Sequence, residues 1–355
     1  MRGSRAGLRL VMEKNKEKQR MDKPFLSVCI PSYNRPKELL RLLRTIDCDP
    51  SVTQIVVCED HAPKRLEVRA AVEEFKAETK YAVKYVENEV NKGYDWNLRD
   101  FLTTADGEYI VFCDDDGAFV KGALDKLIAF LKEHPELGYV LRRTRYPERG
   151  DDMRYFPGTR FFEPGVETYQ MLFRKSVIVA GFTFKRELAI DTMTDRFDGS
   201  LLYQLYILAE ICLKHPSAYF DEPITEKLPG ETEFYFGSSE KEKGLYEPKK
   251  ISVRGQMNFM NSFIKIAQYI DDKYGLHSVK YVKKDMSKYS YPVLAWMMRK
   301  SRFAMLGVAW EYIKGGMGTT IYFYIYVFAL LLFGTNFCDR MIVRIKKKMG
   351  HTPNL

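Results

Sequence analysis

Three consecutive carboxylates, Asp114, Asp115 and Asp116, close the apolar stretch Tyr109-Ile110-Val111-Phe112-Cys113 and are followed by Gly117. The apolar run predicts a buried strand, and the carboxylates fall where that strand must end. In open α/β sheets the carboxyl ends of the strands are where ligands bind. Alternate side chains of an extended segment share a face, so Asp114 and Asp116 can converge on one cation while Asp115 points elsewhere. A hard divalent ion held by carboxylate oxygens, with positions left open, suits a diphosphate. The competing reading is an acidic turn, which Asp-Gly favours. What separates the two is which other groups reach the same edge.

The surrounding elements bring such groups there. Phe25 to Ile30 is a short apolar strand that ends in Pro31-Ser32-Tyr33-Asn34-Arg35-Pro36. Asn34 can cap a helix and Pro36 suits its first turn, after which Leu39, Leu40, Leu42, Leu43 and Ile46 repeat at helical spacing. Strands are predicted at Gln54 to Cys58, Val83 to Val86, Tyr109 to Cys113 and Gly138 to Leu141. Helices are predicted at Arg65 to Thr79, Tyr94 to Thr104 and Lys121 to Glu133. Strands alternating with helices predict an α/β fold, a mostly parallel sheet covered by helices on both faces. Right-handed crossovers then bring the strand ends to one edge. Three polar clusters meet there: Pro31 to Arg35, Glu59-Asp60 and Asp114 to Asp116. Asn91-Lys92-Gly93-Tyr94-Asp95-Trp96-Asn97 faces the same cleft, with Gly93 allowing close backbone approach and a helix amino end favouring an anion. For Asn91 and Asn97, turn and capping chemistry is the plain alternative.

These four motifs, in this order, resemble the family 2 glycosyltransferases, and within them bacterial enzymes of surface-polysaccharide and O-antigen assembly. The resemblance covers roughly residues 25–225. It implies a nucleotide-binding fold of the glycosyltransferase A type, a nucleotide-sugar donor, and inverting transfer with Mn²⁺ or Mg²⁺. By position, Pro31, Tyr33 and Arg35 would line the nucleotide pocket, and Glu59 would contact base or ribose where the family usually has Asp. Asn91, Gly93, Asn97 and Asp115 would bound the donor site, and Asp114 and Asp116 would hold the metal. A Gly-x-Gly-x-x-Gly loop is absent, which argues against a dehydrogenase. A divalent cation at this place would stabilise the charge that develops on a departing diphosphate.

The family's usual base, the Asp of a Glu-Asp pair on a later helix, is missing. That helix is predicted over Leu201 to Leu213, and the pair would fall near Tyr203-Gln204. Asp198 is the first candidate to replace it, followed by Asp195, Asp191 and Glu210. Capping or turn formation competes for the aspartates, and a solvated helix face for Glu210.

Composition sets the remaining bounds. The 355 residues are 46% hydrophobic and 29% charged, a folded chain long enough for one large or two ordinary domains. A net charge of +9 suits nucleic acid or an anionic membrane, but no nucleic-acid-binding motif is present, so no nucleic-acid partner is expected. Six cysteines without Cys-x-x-Cys spacing suggest a reducing compartment, and five scattered histidines suggest no zinc site.

The sequence divides into a basic tail (1–24), a catalytic domain (25–225), an acceptor-side loop and helical region (226–318), and an apolar helix with a basic tail (319–355). Lys227 to Lys250 reads as a functional loop. Ile251 to Ile270 and Val279 to Tyr312 read as helices whose Trp296, Met297, Met298, Phe303, Met305, Leu306 and Trp310 belong to a helical core. Ile321 to Phe337 has about the minimum length of a membrane span and is followed by Arg340, Arg344, Lys346, Lys347 and Lys348. A cytoplasmic catalytic domain and a cytoplasmic basic tail cannot both follow from one straight span. A helix lying on the cytoplasmic face of a bacterial inner membrane, with a lipid-linked glycan as acceptor, meets both conditions. The same helix could pack against a second copy. The rival readings are a nucleotidyltransferase, which would want a Gly-rich phosphate loop at Pro31 to Pro36, and an inactive membrane-bound scaffold.

Overall fold

The computed structural model describes residues 23–147, 151–228 and 233–349. Residues 1–22 of the expected basic tail, 229–232 of the loop and 350–355 lie outside the described residues. Along the chain the strands are β1 (Leu26–Ser32), β2 (Thr53–Glu59), β3 (Ala82–Glu87), β4 (Tyr109–Phe112), β5 (Gly117–Phe119), β6 (Tyr139–Tyr146), β7 (Asp151–Met153), β8 (Arg160–Phe162), β9 (Phe182–Lys185) and β10 (Ser217–Lys227).

These strands form one mixed sheet in the order β3-β2-β1-β4-β9-β6-β10-β5, with β7 on β6 and β8 on β10. The first half, β3-β2-β1-β4, is wholly parallel, as continuous apolar strands covered on both faces require. β1, β2 and β4 are buried almost throughout. Alternation divides their side chains: Val28 and Ile30 join the helices Pro36–Leu43, Arg65–Glu78 and Ala123–Glu133, while Cys29 faces Tyr94–Thr104 and Tyr203–Lys214.

One placement differs from a simple alternating order. The strand following β4 in space is β9, inserted antiparallel between β4 and β6. Its Phe182 and Phe184 are fully buried and pack on Phe112 at ring-centroid distances of 6.1 and 5.2 Å. Periodicity in the chain does not record such a long-range choice of neighbour.

The carboxyl-terminal part is helical, with helices Val253–Tyr274, Ser278–Lys288, Tyr291–Lys300, Arg302–Lys314 and Ile321–Met349. The expected run over Val279 to Tyr312 is broken twice. At the second break Ser301 ends one helix and caps the next, its hydroxyl accepting from the Ala304 amide at 3.0 Å. The last helix is itself interrupted at Gly334, where φ is 71° and ψ 174°. The inner sides of these helices extend the core on the Tyr203–Lys214 side of the sheet. Trp296, Phe303, Leu306 and Trp310 do not belong to that core. They are exposed, while Met297 and Met305 are buried.

Candidate active site

A cavity of about 120 Å³ opens at the carboxyl edge of the parallel strands. Pro31, Ser32, Tyr33 and Arg35 reach it from the end of β1, Asp60 from the end of β2, and Asp114 and Asp115 from the end of β4. Asn91, Gly93, Tyr94 and Asn97 come from the loop after β3 and the first turn of Tyr94–Thr104. Tyr235, Phe236, Ser238 and Glu242 close it from the segment 233–250.

The acidic run divides its work among its members. Asp115 is buried and locks the run to the β1 loop: its Oδ1 accepts from Arg35 Nη1 at 2.6 Å and its Oδ2 from the Tyr33 amide at 3.1 Å. Asp114 faces the cavity. Burial first, then the neighbouring Asp116 and Asp115, push its carboxyl up to about 7. Asp116 is half-buried and does not line the cavity, although its charge is felt by both Asp114 and Arg35. Ser32 Oγ and Arg35 Nε are buried without a hydrogen-bond partner among the described residues. A cavity with a partly uncompensated carboxylate and two unsatisfied polar atoms is built to receive polar matter. Carboxylate oxygens with open positions fit a Mg²⁺ or Mn²⁺ ion that completes its shell with water and phosphate. Among the described residues, no three metal-ligating side chains are clustered.

Asn34 takes a different role from the cap expected of it. It adopts φ 64° and its Oδ1 accepts from the Lys64 amide at 3.2 Å, so it ties the β1 loop to the β2 loop. Glu59 is also turned away from the cavity. Its two oxygens accept from the His61 and Ala62 amides at 2.9 and 2.7 Å, which leaves it holding the turn after β2. The next residue, Asp60, takes the cavity position because successive strand residues point to opposite sides. Asp60 accepts from Asn88 Nδ2 at 2.9 Å and from the Lys92 and Gly93 amides at 2.8 and 2.7 Å. Asn97 joins this network by accepting from Asn88 Nδ2 at 3.0 Å.

Gly93 does allow a close approach, but to the chain itself. Its φ is +92°, and a Cβ there would lie 2.6 Å from Ser239 Oγ and 2.9 Å from Glu242 Oε1. The anion at the start of Tyr94–Thr104 is Glu242, which accepts from the Tyr94 amide and the Gly237 amide, each at 2.9 Å. Burial raises its carboxyl above the usual range. Aromatic contacts complete the roof: Tyr235 lies 5.5 Å from Tyr33 and Phe236 lies 5.8 Å from Tyr94, ring centre to ring centre.

Asp198, expected as the base, is removed from the cavity. Its carboxylate accepts from Arg99 Nη1 at 2.6 Å and Nη2 at 3.3 Å, and both side chains are buried. Such a pair ties the helix Tyr94–Thr104 to the turn that precedes Tyr203–Lys214, and Asp198 does not line the cavity. Asp191 and Asp195 are exposed and do not line the cavity. Glu210 is buried and not on a solvated face, with Lys214, Lys273 and Tyr274 all donating to it.

At the start of Tyr203–Lys214, where a Glu-Asp pair would fall, a carboxylate arrives from another helix. Asp95 accepts from the Leu201 and Tyr203 amides, each at 2.9 Å, and from Ser200 Oγ at 3.2 Å. Burial pushes it up to about 7. The sequence offered Asp95 only as one polar residue of the Asn91 to Asn97 stretch. Tyr235, Phe236 and Glu242 carried no motif, and only the length of their loop marked them.

Residues 27–189 match the family model described as Glycosyl transferase family 2. A glucosyltransferase of Campylobacter jejuni, named for GalNAc(5)-diNAcBac-PP-undecaprenol and β-1,3 transfer, is 24% identical over 161 residues, 45% of this chain and 49% of that protein. An uncharacterized glycosyltransferase of Haemophilus influenzae is 24% identical over 117 residues, 33% of this chain and 37% of that protein. The chain thus spans half or less of the curated relatives it matches. Among solved structures, S. aureus TarS 1-349 in complex with UDP-GlcNAc is similar in fold, with a TM-score of 0.53, 20% identity, and coverage of 78% of this chain and 74% of that one. The mannosyltransferase PcManGT of Pyrobaculum calidifontis, in complex with GDP-Man and Mn²⁺, gives a TM-score of 0.51 at 16% identity, covering 89% of this chain and 81% of that one. Motif order, sheet topology and these similarities agree: residues 27–189 match the glycosyl transferase family 2 model, and the chain shares the fold of these solved glycosyltransferases.

Proposed function

We propose that this chain is a metal-dependent, inverting glycosyltransferase that moves a sugar from a nucleotide-sugar donor to a lipid-linked surface glycan at the cytoplasmic face of a bacterial inner membrane. The observation that carries this reading is the half-buried carboxylate Asp114 facing a cavity that is also lined by Ser32 and Arg35, whose Oγ and Nε atoms are unsatisfied. UDP-GlcNAc in one fold neighbour and GDP-Man with Mn²⁺ in another support a nucleotide-sugar donor and a divalent ion. The undecaprenol-linked substrate named for the Campylobacter relative supports the acceptor class.

In this reading Pro31, Tyr33 and Arg35 bound the nucleotide, Asn91, Gly93 and Asn97 bound the other side of the donor, and Asp114 would hold Mn²⁺ or Mg²⁺ in the cavity, with Asp116 joining it from the rim. Asp115 keeps Arg35 in place. The ion, when bound, would neutralise the negative charge of the departing diphosphate. The segment 233–250 roofs the cavity, and its movement would admit the donor. The acceptor hydroxyl loses its proton as its oxygen bonds to the anomeric carbon and the sugar–phosphate bond breaks. We assign that proton to Glu242, the cavity carboxylate that comes from the acceptor-side loop.

Calorimetry with a panel of nucleoside diphosphates, with and without Mn²⁺, tests the donor site. Selective metal-dependent binding that Asp114→Ala and Asp116→Ala abolish is expected. It should tighten as pH rises through about 7, where Asp114 gives up its proton. Absence of any nucleotide binding by a folded sample would transfer the weight to the scaffold reading.

A further inference from the structure

Two helices near the carboxyl terminus carry apolar stripes that no described part of the chain covers. On Arg302–Lys314, Met305, Val308, Ala309 and Tyr312 face the core. Phe303, Leu306, Trp310 and Ile313 face outward, Phe303 with 88% of its surface exposed. Their spacing puts these four on one side of the helix. On the last helix, Phe323, Tyr326 and Leu330 face inward, and Ile321, Ile325, Phe328 and Leu332 line the opposite side. The two helices are joined face to face by Tyr312 stacked on Phe323 at 5.8 Å. Exposed apolar surface of this extent marks an interaction site.

The charges around the stripes identify the occupant. A cleft of about 920 Å³ is lined by Lys280, Lys283 and Lys284, with Gly316 and Thr319 from the turn that links the two helices. Asp271 and Asp272 also line it, and three lysines against two carboxylates leave the cleft net positive. Asp271 accepts from the Ser278 and Val279 amides, and Asp272 accepts from Gln268. Arg302, Arg340, Arg344 and Lys348 are exposed on the same two helices. Pairing this surface with a second copy would bring like charges together, whereas a bilayer with anionic headgroups complements both its apolar and its basic parts.

The Gly334 break divides the apolar part of the last helix. Ile321–Ile345 is long and apolar enough to cross a membrane by composition. Yet the unbroken run from Ile321 to the Gly334 break covers about 20 Å at 1.5 Å per residue, short of a hydrocarbon core of about 30 Å.

We propose that Arg302–Lys314 and Ile321–Phe333 together form a monotopic docking face that lies in one leaflet of an anionic bilayer, with the Lys280, Lys283 and Lys284 cleft over the headgroups. This rests on the membrane-associated reading above and adds a second inserting helix that the sequence pattern assigns to the core.

Flotation of the full chain with phosphatidylglycerol-containing vesicles, compared with phosphatidylcholine alone, provides the test. Binding to the anionic vesicles is expected. Phe303→Glu combined with Trp310→Glu should weaken it by about tenfold or more, given the apolar area withdrawn. Lys280→Glu with Lys283→Glu and Lys284→Glu should remove the preference for anionic lipid. Because these side chains lie on the surface, circular dichroism and nucleoside diphosphate binding should stay unchanged in every variant. Unaltered flotation of the Phe303/Trp310 variant would overturn the proposal. So would a wild type that ignores vesicles and is a dimer by light scattering which the same variant dissociates. Vesicle binding without nucleotide binding would sink the donor reading and leave the docking face standing.

Discussion

At the residue scale, the carboxylates separate by what surrounds them. Asp115, Glu59, Asp198 and Glu242 each accept two hydrogen bonds from the protein, while Asp114 faces the cavity; Glu242 differs from Glu59 and Asp198 in lining the cavity, on the segment that closes it. The chain has the residue types for a site at many positions, and only pairing geometry decides which are free. Asp198→Asn and Glu242→Gln distinguish these roles. Asp198→Asn leaves Arg99 buried without its partner charge and should lower unfolding stability by about 3–5 kcal/mol, while any enzyme that remains folded keeps its turnover. Glu242→Gln should retain nucleotide binding and lose transfer by about 10²-fold or more. Thermal melts and kinetics with an acceptor check both, and a Glu242→Gln enzyme with wild-type turnover would remove that residue as base.

At the element scale, three strand ends and one helix start meet at the cavity because the parallel half of the sheet aligns them. This much was legible from apolar runs ending in polar clusters, since each run predicts its strand and the crossover rule predicts the shared edge. The roof was not legible in the same way. Segment 233–250 has no periodic pattern, and its seat depends on Gly93 leaving room for Ser239 and Glu242. Gly93→Ala keeps a left-handed backbone that a Cβ disfavours and pushes against both side chains. The expected result is a loss of about 1–3 kcal/mol and faster hydrogen exchange confined to 233–250. Unchanged exchange there would mean that the segment is not held by this contact.

At the scale of the whole molecule, the last helix is two-sided. Leu330 is fully buried and Tyr326 packs on Tyr291 at a centroid distance of 5.6 Å, so the helix is part of the fold as well as a carrier of exposed apolar surface. Leu330→Ala should therefore cost about 2–5 kcal/mol, read as a lower melting temperature without lipid present. A detached anchor would show no change. The alternating α/β domain, the acidic run at a strand end and the neighbouring loops that meet it are legible along the chain, because periodicity and strand-end chemistry are local properties. Long-range packing places β9 between β4 and β6, turns Asp60 and not Glu59 to the cavity, pairs Asp198 with Arg99 and leaves Trp310 outside the core. Each of these depends on which distant surface a side chain meets, and that is settled by packing between elements far apart in the chain.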